Sequence, residues 1–246
     1  MVDTFAELGI TVQVVGARQQ FLDALRGLTD PEEKRRAVTD TFYRDVFGSL
    51  VRESGAKVLL HGTILTDVDE TVARIKCQHN VLMQVGIDPQ KEFGYRVLEP
   101  LVTLRKPDVR EVAWELGLPE SVADRMPFPG PGLATRIVGE VTEERLVTVR
   151  HATAIVEEEL EGCAAFQFLA VLMQDRSTGI VDGKREFGQI IVVRCVDSID
   201  ARLAKPSYLS WSLLTQLADR ITREVPDVNR VLYDLTPKPP ATVEFI

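Results

Sequence analysis

The sequence is short of the residues that build metal centres and disulfide frameworks. Its 246 residues include only three cysteines and three histidines. Cys77, Cys163 and Cys195 are odd in number and far apart, which fits neither a disulfide framework nor a zinc pattern. They suit a reducing compartment, and a cytoplasmic protein is expected. His61, His79 and His151 are too scattered to suggest a metal site, and none is expected. No run approaches the ~20 apolar residues of a membrane helix, and no basic stretch leads into an apolar one at the N-terminus, so neither a membrane partner nor a secretory signal is expected. Positive charge is scarce too. The 29 Lys and Arg are outnumbered by 37 Asp and Glu, a formal charge of −8, which argues against a nucleic-acid partner.

What is present is enough apolar residue, 45%, for a sizeable core in one large or two ordinary domains. The chain turns on Arg125-Met126-Pro127-Phe128-Pro129-Gly130-Pro131-Gly132-Leu133. Proline fixes φ and removes an amide donor, and glycine supplies angles other residues avoid, so neither a helix nor a central strand survives here. Most such stretches are slack linkers. This one is apolar and stiff, which suits two domains docked in a fixed relation.

Before the hinge, strand-like and helix-like segments alternate. Met1 to Leu8 reads as the end of a helix stopped by Gly9, an odd way to begin a domain, and something upstream is expected. Ile10 to Val15 reads as a β-branched strand. Phe21, Leu22 and Leu25 suggest a helical turn ending at Gly27. Asp30-Pro31-Glu32-Glu33 is a capped helix start, followed by Val38, Phe42, Val46 and Leu50 at four-residue spacing. Val58 to Leu60 reads as a buried strand. Strand, helix, strand points to a parallel α/β sheet with its ligand end at the strands' carboxyl termini. Residues 64–95 look irregular and polar, as either a substrate loop or a solvated surface does. Val97 to Leu101 reads as a strand. Asp108 to Leu116 reads as a helix with Val109, Val112, Ala113 and Leu116 inward.

Beyond the hinge, Thr142 caps a helix through about Leu160, with Leu146, Val149, Ile155 and Val156 inward. Phe166 to Met173 and Gly188 to Val196 read as buried strands, with a hairpin turn at Asp182-Gly183. Trp211 to Val225 is a second amphipathic helix, and Val231 to Leu235 a last strand. The expected fold is α/β: an incomplete parallel-sheet domain over residues 1–125, then a small α+β unit of antiparallel strands over 126–246.

The hinge PFPGPGL, followed by Arg136, Gly139 and Glu140, resembles the motif that joins the ATP-pyrophosphatase domain of GMP synthases to their dimerisation domain. Lys238-Pro239-Pro240-Ala241-Thr242-Val243-Glu244 is similar to the family's C-terminal signature. The resemblance runs from about residue 8 to the end of the sequence. It implies a ligase subunit that activates XMP by adenylylation with Mg-ATP and aminates it to GMP in purine nucleotide biosynthesis. It also implies a homodimer and, because no glutaminase domain is present, a separate glutamine amidotransferase subunit as ammonia source.

By the same resemblance Asp67, Glu70 and Lys76 assist adenylylation, and Arg35, Gln167, Arg176, Arg230, Lys238, Val243 and Glu244 hold XMP. Guanidinium, ammonium and carboxylate groups suit phosphate and ribose hydroxyls. Taken singly, each charge reads equally as an exposed surface residue. The pattern also departs from the family. The Ser-Gly-Gly-Val-Asp-Ser loop that cradles pyrophosphate does not occur in these residues, Thr66 stands for a proline, Leu82-Met83 for a glycine pair, and Met126 for a histidine. An active ligase subunit and a paralogue that binds XMP or GMP, or dimerises, without adenylylation therefore both stay open.

Overall fold

A computed structural model describes residues 2–72, 88–92, 94–123, 126, 128–181 and 183–246. It is an α/β protein with a parallel sheet before the hinge and a separate mixed sheet after it. The first part opens with α1 (Val2–Glu7), closed by Gly9 at φ +71°, and α2 (Arg18–Leu25). Between them Ile10 to Val15 has no regular secondary structure and joins no ladder among the described residues, so the expected strand is not formed there.

Asp30 starts α3 (Pro31–Asp40) as expected, its carboxylate accepting from the Glu32 and Glu33 amides. The helix then passes through a π-helical turn, Thr41–Phe47, into α4 (Gly48–Ser54). The wider turn breaks the four-residue stripe: Phe42 is 41% exposed, whereas Lys34, Thr39, Tyr43 and Val51 are buried. β1 (Val58–Leu60) pairs in parallel with β2 (Arg96–Leu98), but Val58 and Leu60 are exposed rather than buried. Residues expected to be irregular form α5 (Leu65–Val72) and α6 (Pro89–Glu92). α7 (Lys106–Glu115) and α8 (Glu120–Ala123) follow, and the apolar face expected to point inward on α7 is open: Val112 and Leu116 are exposed.

The hinge ends in a short 3₁₀ turn, Gly132–Arg136, and leads to α9 (Glu143–Glu159), which Thr142 caps at the Arg145 amide. Gly139 sits at φ +89°, a backbone angle that favours glycine, and an added Cβ would also press on the Gln174 side chain at 3.0 Å. β3 (Gln167–Val181) and β4 (Lys184–Asp197) form a long antiparallel hairpin closed by the pairing of Val181 with Lys184. Asp182 of the expected turn lies outside the described residues. β5 (Lys205–Pro206) runs antiparallel to β4 and β6 (Val228–Tyr233) parallel to it, so the sheet is mixed rather than all antiparallel. The connection to β6 is α10 (Trp211–Glu224).

Two-residue alternation divides this sheet. Phe168, Ala170, Leu172, Ile191, Val193 and Cys195 face α9 and α10 and join the main core with Val149, Val156, Leu217 and Ile221. Leu169, Val171 and Val192 point the other way, against Val138, Met173 and Phe245. The second face is thus covered by Val138, just past the hinge, and by the chain's last segment, residues 234–246. α2 and α3 also belong to this half in space. Leu25 enters the main core, Lys34 Nζ donates to the Ile137 carbonyl at 2.7 Å, and the Gly27 amide donates to Glu140 at 2.9 Å.

Candidate functional site

Arg194 and Gln167 lie on the face of the sheet that the last segment covers, and both reach into that segment. Arg194 is an arginine inside the apolar run Ile190–Val196, and it is fully buried. Its guanidinium pairs with Asp234 at 2.6 Å and donates to the carbonyls of Thr236 at 2.9 Å, Thr242 at 2.7 Å and Val243 at 3.0 Å. A buried cation is tolerated only when it is paired and hydrogen-bonded, and Arg194 spends its fork on fixing residues 234–243. The same contacts hold the Asp234 carboxyl below its usual range, with the Thr236 amide bond and the Arg194 charge outweighing burial.

Glu244 then projects into a hub. Its Oε1 accepts from Gln167 Nε2 at 2.6 Å and from Arg136 Nη2 at 3.2 Å, and its Oε2 accepts from Arg136 Nε at 3.2 Å. The Arg136 guanidinium lies 4.8 Å from the centre of the Phe128 ring. Next to it, Arg35 of α3 donates to the Ile246 carbonyl at 2.5 Å. Lys238 holds the approach to this segment. Its Nζ donates to the Ala201 carbonyl at 2.8 Å and its backbone pairs with Ala204, which packs with Val196 and Val243.

Of the residues named from the sequence, Arg35, Gln167, Val243 and Glu244 therefore come together at one end of the sheet, with Lys238 on the loop that frames it. Arg176 and Arg230 do not join them. They sit on β3 and β6 either side of β4, paired with Gln189 and Ile190, and donate to the Phe187 carbonyl at 2.9 Å and the Thr178 carbonyl at 3.4 Å. The β4 partners of Gln167 and Arg176, Val196 and Gln189, are seven strand steps apart, which puts Gln167 and Arg176 roughly 23 Å from each other. Arg136 and Arg194 were not read from the sequence as site residues. The signal for Arg194 was available: a lone charge within a buried strand demands a partner.

A second candidate region lies before the hinge. A cavity of about 850 Å³ is lined by Phe21, Phe42, Tyr43, His61, Phe128 and Leu133, among others. Its polar rim stands at the carboxyl ends of β1 and β2, where Tyr43 Oη is 3.0 Å from His61 Nε2 and Thr63 donates to Glu99 at 2.5 Å. Burial raises the Tyr43 hydroxyl to about 12, keeping it protonated. Asp67, close by at the start of α5, accepts from the Ile64 amide at 3.0 Å and so caps its own helix. The side chain of Glu70 and the whole of Lys76 lie outside the described residues. Among the described residues no group of three His, Cys, Asp or Glu side chains gathers to hold a metal ion, and no helix is long and apolar enough to cross a membrane.

Residues 154–245, which contain Gln167, Arg194 and Glu244 but not Arg136, match the model of the GMP synthase C-terminal domain. The similarity extends beyond that region. A glutamine-hydrolyzing GMP synthase subunit of Methanopyrus kandleri is 47% identical over 246 residues, covering 97% of this chain and 76% of that protein. The chain belongs to this family of GMP synthase subunits. The corresponding subunit of Methanosarcina acetivorans is 49% identical over 96% of this chain and 76% of its own length, and that of Pyrococcus furiosus 46% identical over 97% and 75%. The hinge and tail motifs that resemble this family in sequence are thus the two segments that meet in space, through Arg136 and Glu244.

Proposed function

We propose that this chain takes part in the GMP synthase reaction and that its last segment seats XMP. In that reaction the C2 oxygen of XMP attacks the α-phosphorus of ATP and pyrophosphate leaves. Ammonia then attacks C2, AMP leaves with the shared oxygen, and GMP is formed. The observation that carries the reading is the Arg136–Glu244–Gln167 hub, a nearly buried carboxylate fixed where the hinge, the sheet and the tail signature converge. In this reading Glu244 accepts from the nucleotide, Gln167 shares its orientation, and Lys238 and Arg35 supply positive charge toward the phosphate.

Residues 126–246 act as the dimerisation domain and 1–125 as part of the ATP-pyrophosphatase domain. Arg176 and Arg230, remote from Glu244 in their own chain, serve the seat of a second copy. Exposed apolar side chains support such a homodimer: Ile180 and Phe187 on the hairpin are 80% and 71% exposed, and Ile199, Tyr208 and Trp211 near α10 are 91%, 94% and 79%. Ammonia comes from a separate glutamine amidotransferase subunit, and the setting is the cytoplasm. Mg-ATP enters as co-substrate at the carboxyl ends of β1 and β2, close to Asp67, and Glu70 and Lys76 assist adenylylation as the family resemblance implies. The described residues do not by themselves build a magnesium site.

Incubating the protein, as its source makes it, with XMP, ATP, magnesium and ammonia is expected to yield GMP, AMP and pyrophosphate in equal amounts. XMP binding without AMP or pyrophosphate release would replace the ligase with a binding protein that has lost adenylylation.

A further inference from the structure

The hinge contributes one side chain to the Glu244 hub whose part in it is set by geometry alone. Arg136 is only 2% exposed, at the last position of the 3₁₀ turn. One face of its guanidinium lies against Phe128, and its edge makes two 3.2 Å bonds to the Glu244 carboxylate. A planar fork held on its face and on its edge cannot rotate, and a two-point pair passes that constraint to the carboxylate. Neither group is free to swing toward another partner.

The hydrogen-bond capacity of Glu244 points the same way. An ionised carboxylate offers roughly four acceptor directions, two on each oxygen. Oε1 meets two described donors, Gln167 Nε2 and Arg136 Nη2, whereas Oε2 meets one, Arg136 Nε. The Glu244 side chain keeps 13% of its surface open. A single acceptor direction on Oε2 therefore remains, with its orientation set by Arg136.

We propose that Arg136 is a positioning residue for the nucleotide: it aims Oε2 of Glu244 so that this oxygen accepts a hydrogen bond from one ribose hydroxyl. The proposal rests on the nucleotide reading of the seat and adds how that seat is oriented. It also makes the hinge part of the ligand site, because Phe128 and Arg136 belong to the same short segment. Among the described residues the Arg136 guanidinium spends its hydrogen bonds on Glu244 and its face on Phe128.

The test is isothermal titration of the full-length protein with XMP and with its 2′-deoxy and 3′-deoxy analogues. Wild type, Arg136→Lys, Arg136→Met and Glu244→Gln are compared. Wild type is expected to prefer XMP over one of the two analogues by about 10-fold, the worth of a hydrogen bond to a charged group. Glu244→Gln and Arg136→Met are expected to reduce that ratio below about 3-fold, and Arg136→Lys, which keeps charge but loses the two-point fork, to fall between. A purely structural arginine would lower the melting temperature and weaken XMP and both analogues alike, leaving the ratio intact. That outcome in Arg136→Met overturns the proposal. Should Arg136→Met fail to fold, the ratio in Arg136→Lys decides, and a wild-type ratio there overturns it equally. XMP binding without ribose preference in wild type sinks the positioning role alone. Absence of XMP binding in wild type sinks the nucleotide seat itself.

Discussion

α9 and α7 both carry apolar residues at helical spacing and end up in opposite surroundings. In α9, Val149, Ala152 and Val156 are fully buried, sealed between the mixed sheet and α10. In α7, Val112, Trp114 and Leu116 are 39%, 54% and 74% exposed, and no residue of the helix is buried. The same contrast separates the two sheets: Leu169 and Val171 on β3 are fully buried, whereas Leu60 on β1 is 72% exposed. An apolar stripe states which face of a helix seeks cover. Whether cover is there depends on neighbours that the stripe does not encode.

This difference can be broken most forcefully at Arg194. Replacing it by Met leaves the part-buried Asp234 without its cation and frees three tail carbonyls from a fully buried site, which is expected to cost about 3–5 kcal/mol in a denaturant titration. A loss under about 1 kcal/mol would mean that the last segment is not held as described. Core truncation sharpens the contrast. Leu217→Ala, at a side chain 1% exposed, is expected to cost about 2–5 kcal/mol, and Leu116→Ser less than about 0.5 kcal/mol. Similar losses at both sites would show that the α7 face is covered after all.

The junction between the two halves should respond to pH through Lys34. Burial first, and the nearby Arg145 charge second, lower its ammonium from 10.5 to about 8, with Asp30 opposing them. Between these values the unfolded chain keeps a proton that the folded one releases, so stability should rise as pH climbs through the window. The slope should approach about 1.4 kcal/mol per pH unit, and Lys34→Met should flatten it. A wild-type stability that falls there would contradict the assignment. Modest effects are expected at the helix caps. Asp30→Ala and Thr142→Ala should each cost about 1 kcal/mol by thermal melting. A clearly smaller loss at Asp30 would mark α3 as the less cooperative helix.

Much of the second half was legible because local signals and packing agree there. Thr142 and Ser210 cap α9 and α10, and the β-branched runs become β3 and β4. The parallel connection of β6 was not legible, since alternation gives a strand's faces and not its direction. In the first half Asp30 announced α3, but the π-turn at Thr41–Phe47 could not be read from spacing, and Ile10–Val15 has strand composition without a ladder partner among the described residues. At the seat, motif matching named Gln167 and Glu244 but grouped them with Arg176 and Arg230, which the strand pairings place roughly 20 Å from Gln167 in the same chain. The arginines that build the seat, Arg136 and Arg194, show their roles only once hinge, sheet and tail are seen together.

The most direct measurement is an equilibrium titration of the protein with XMP, run beside Glu244→Gln and Leu116→Ser. Expected is saturable binding that Glu244→Gln weakens about 10-fold and Leu116→Ser leaves unchanged, as a seat confined to hinge, sheet and tail requires. No saturation, or equal affinity in wild type and Glu244→Gln, would contradict the placement of the nucleotide at this carboxylate.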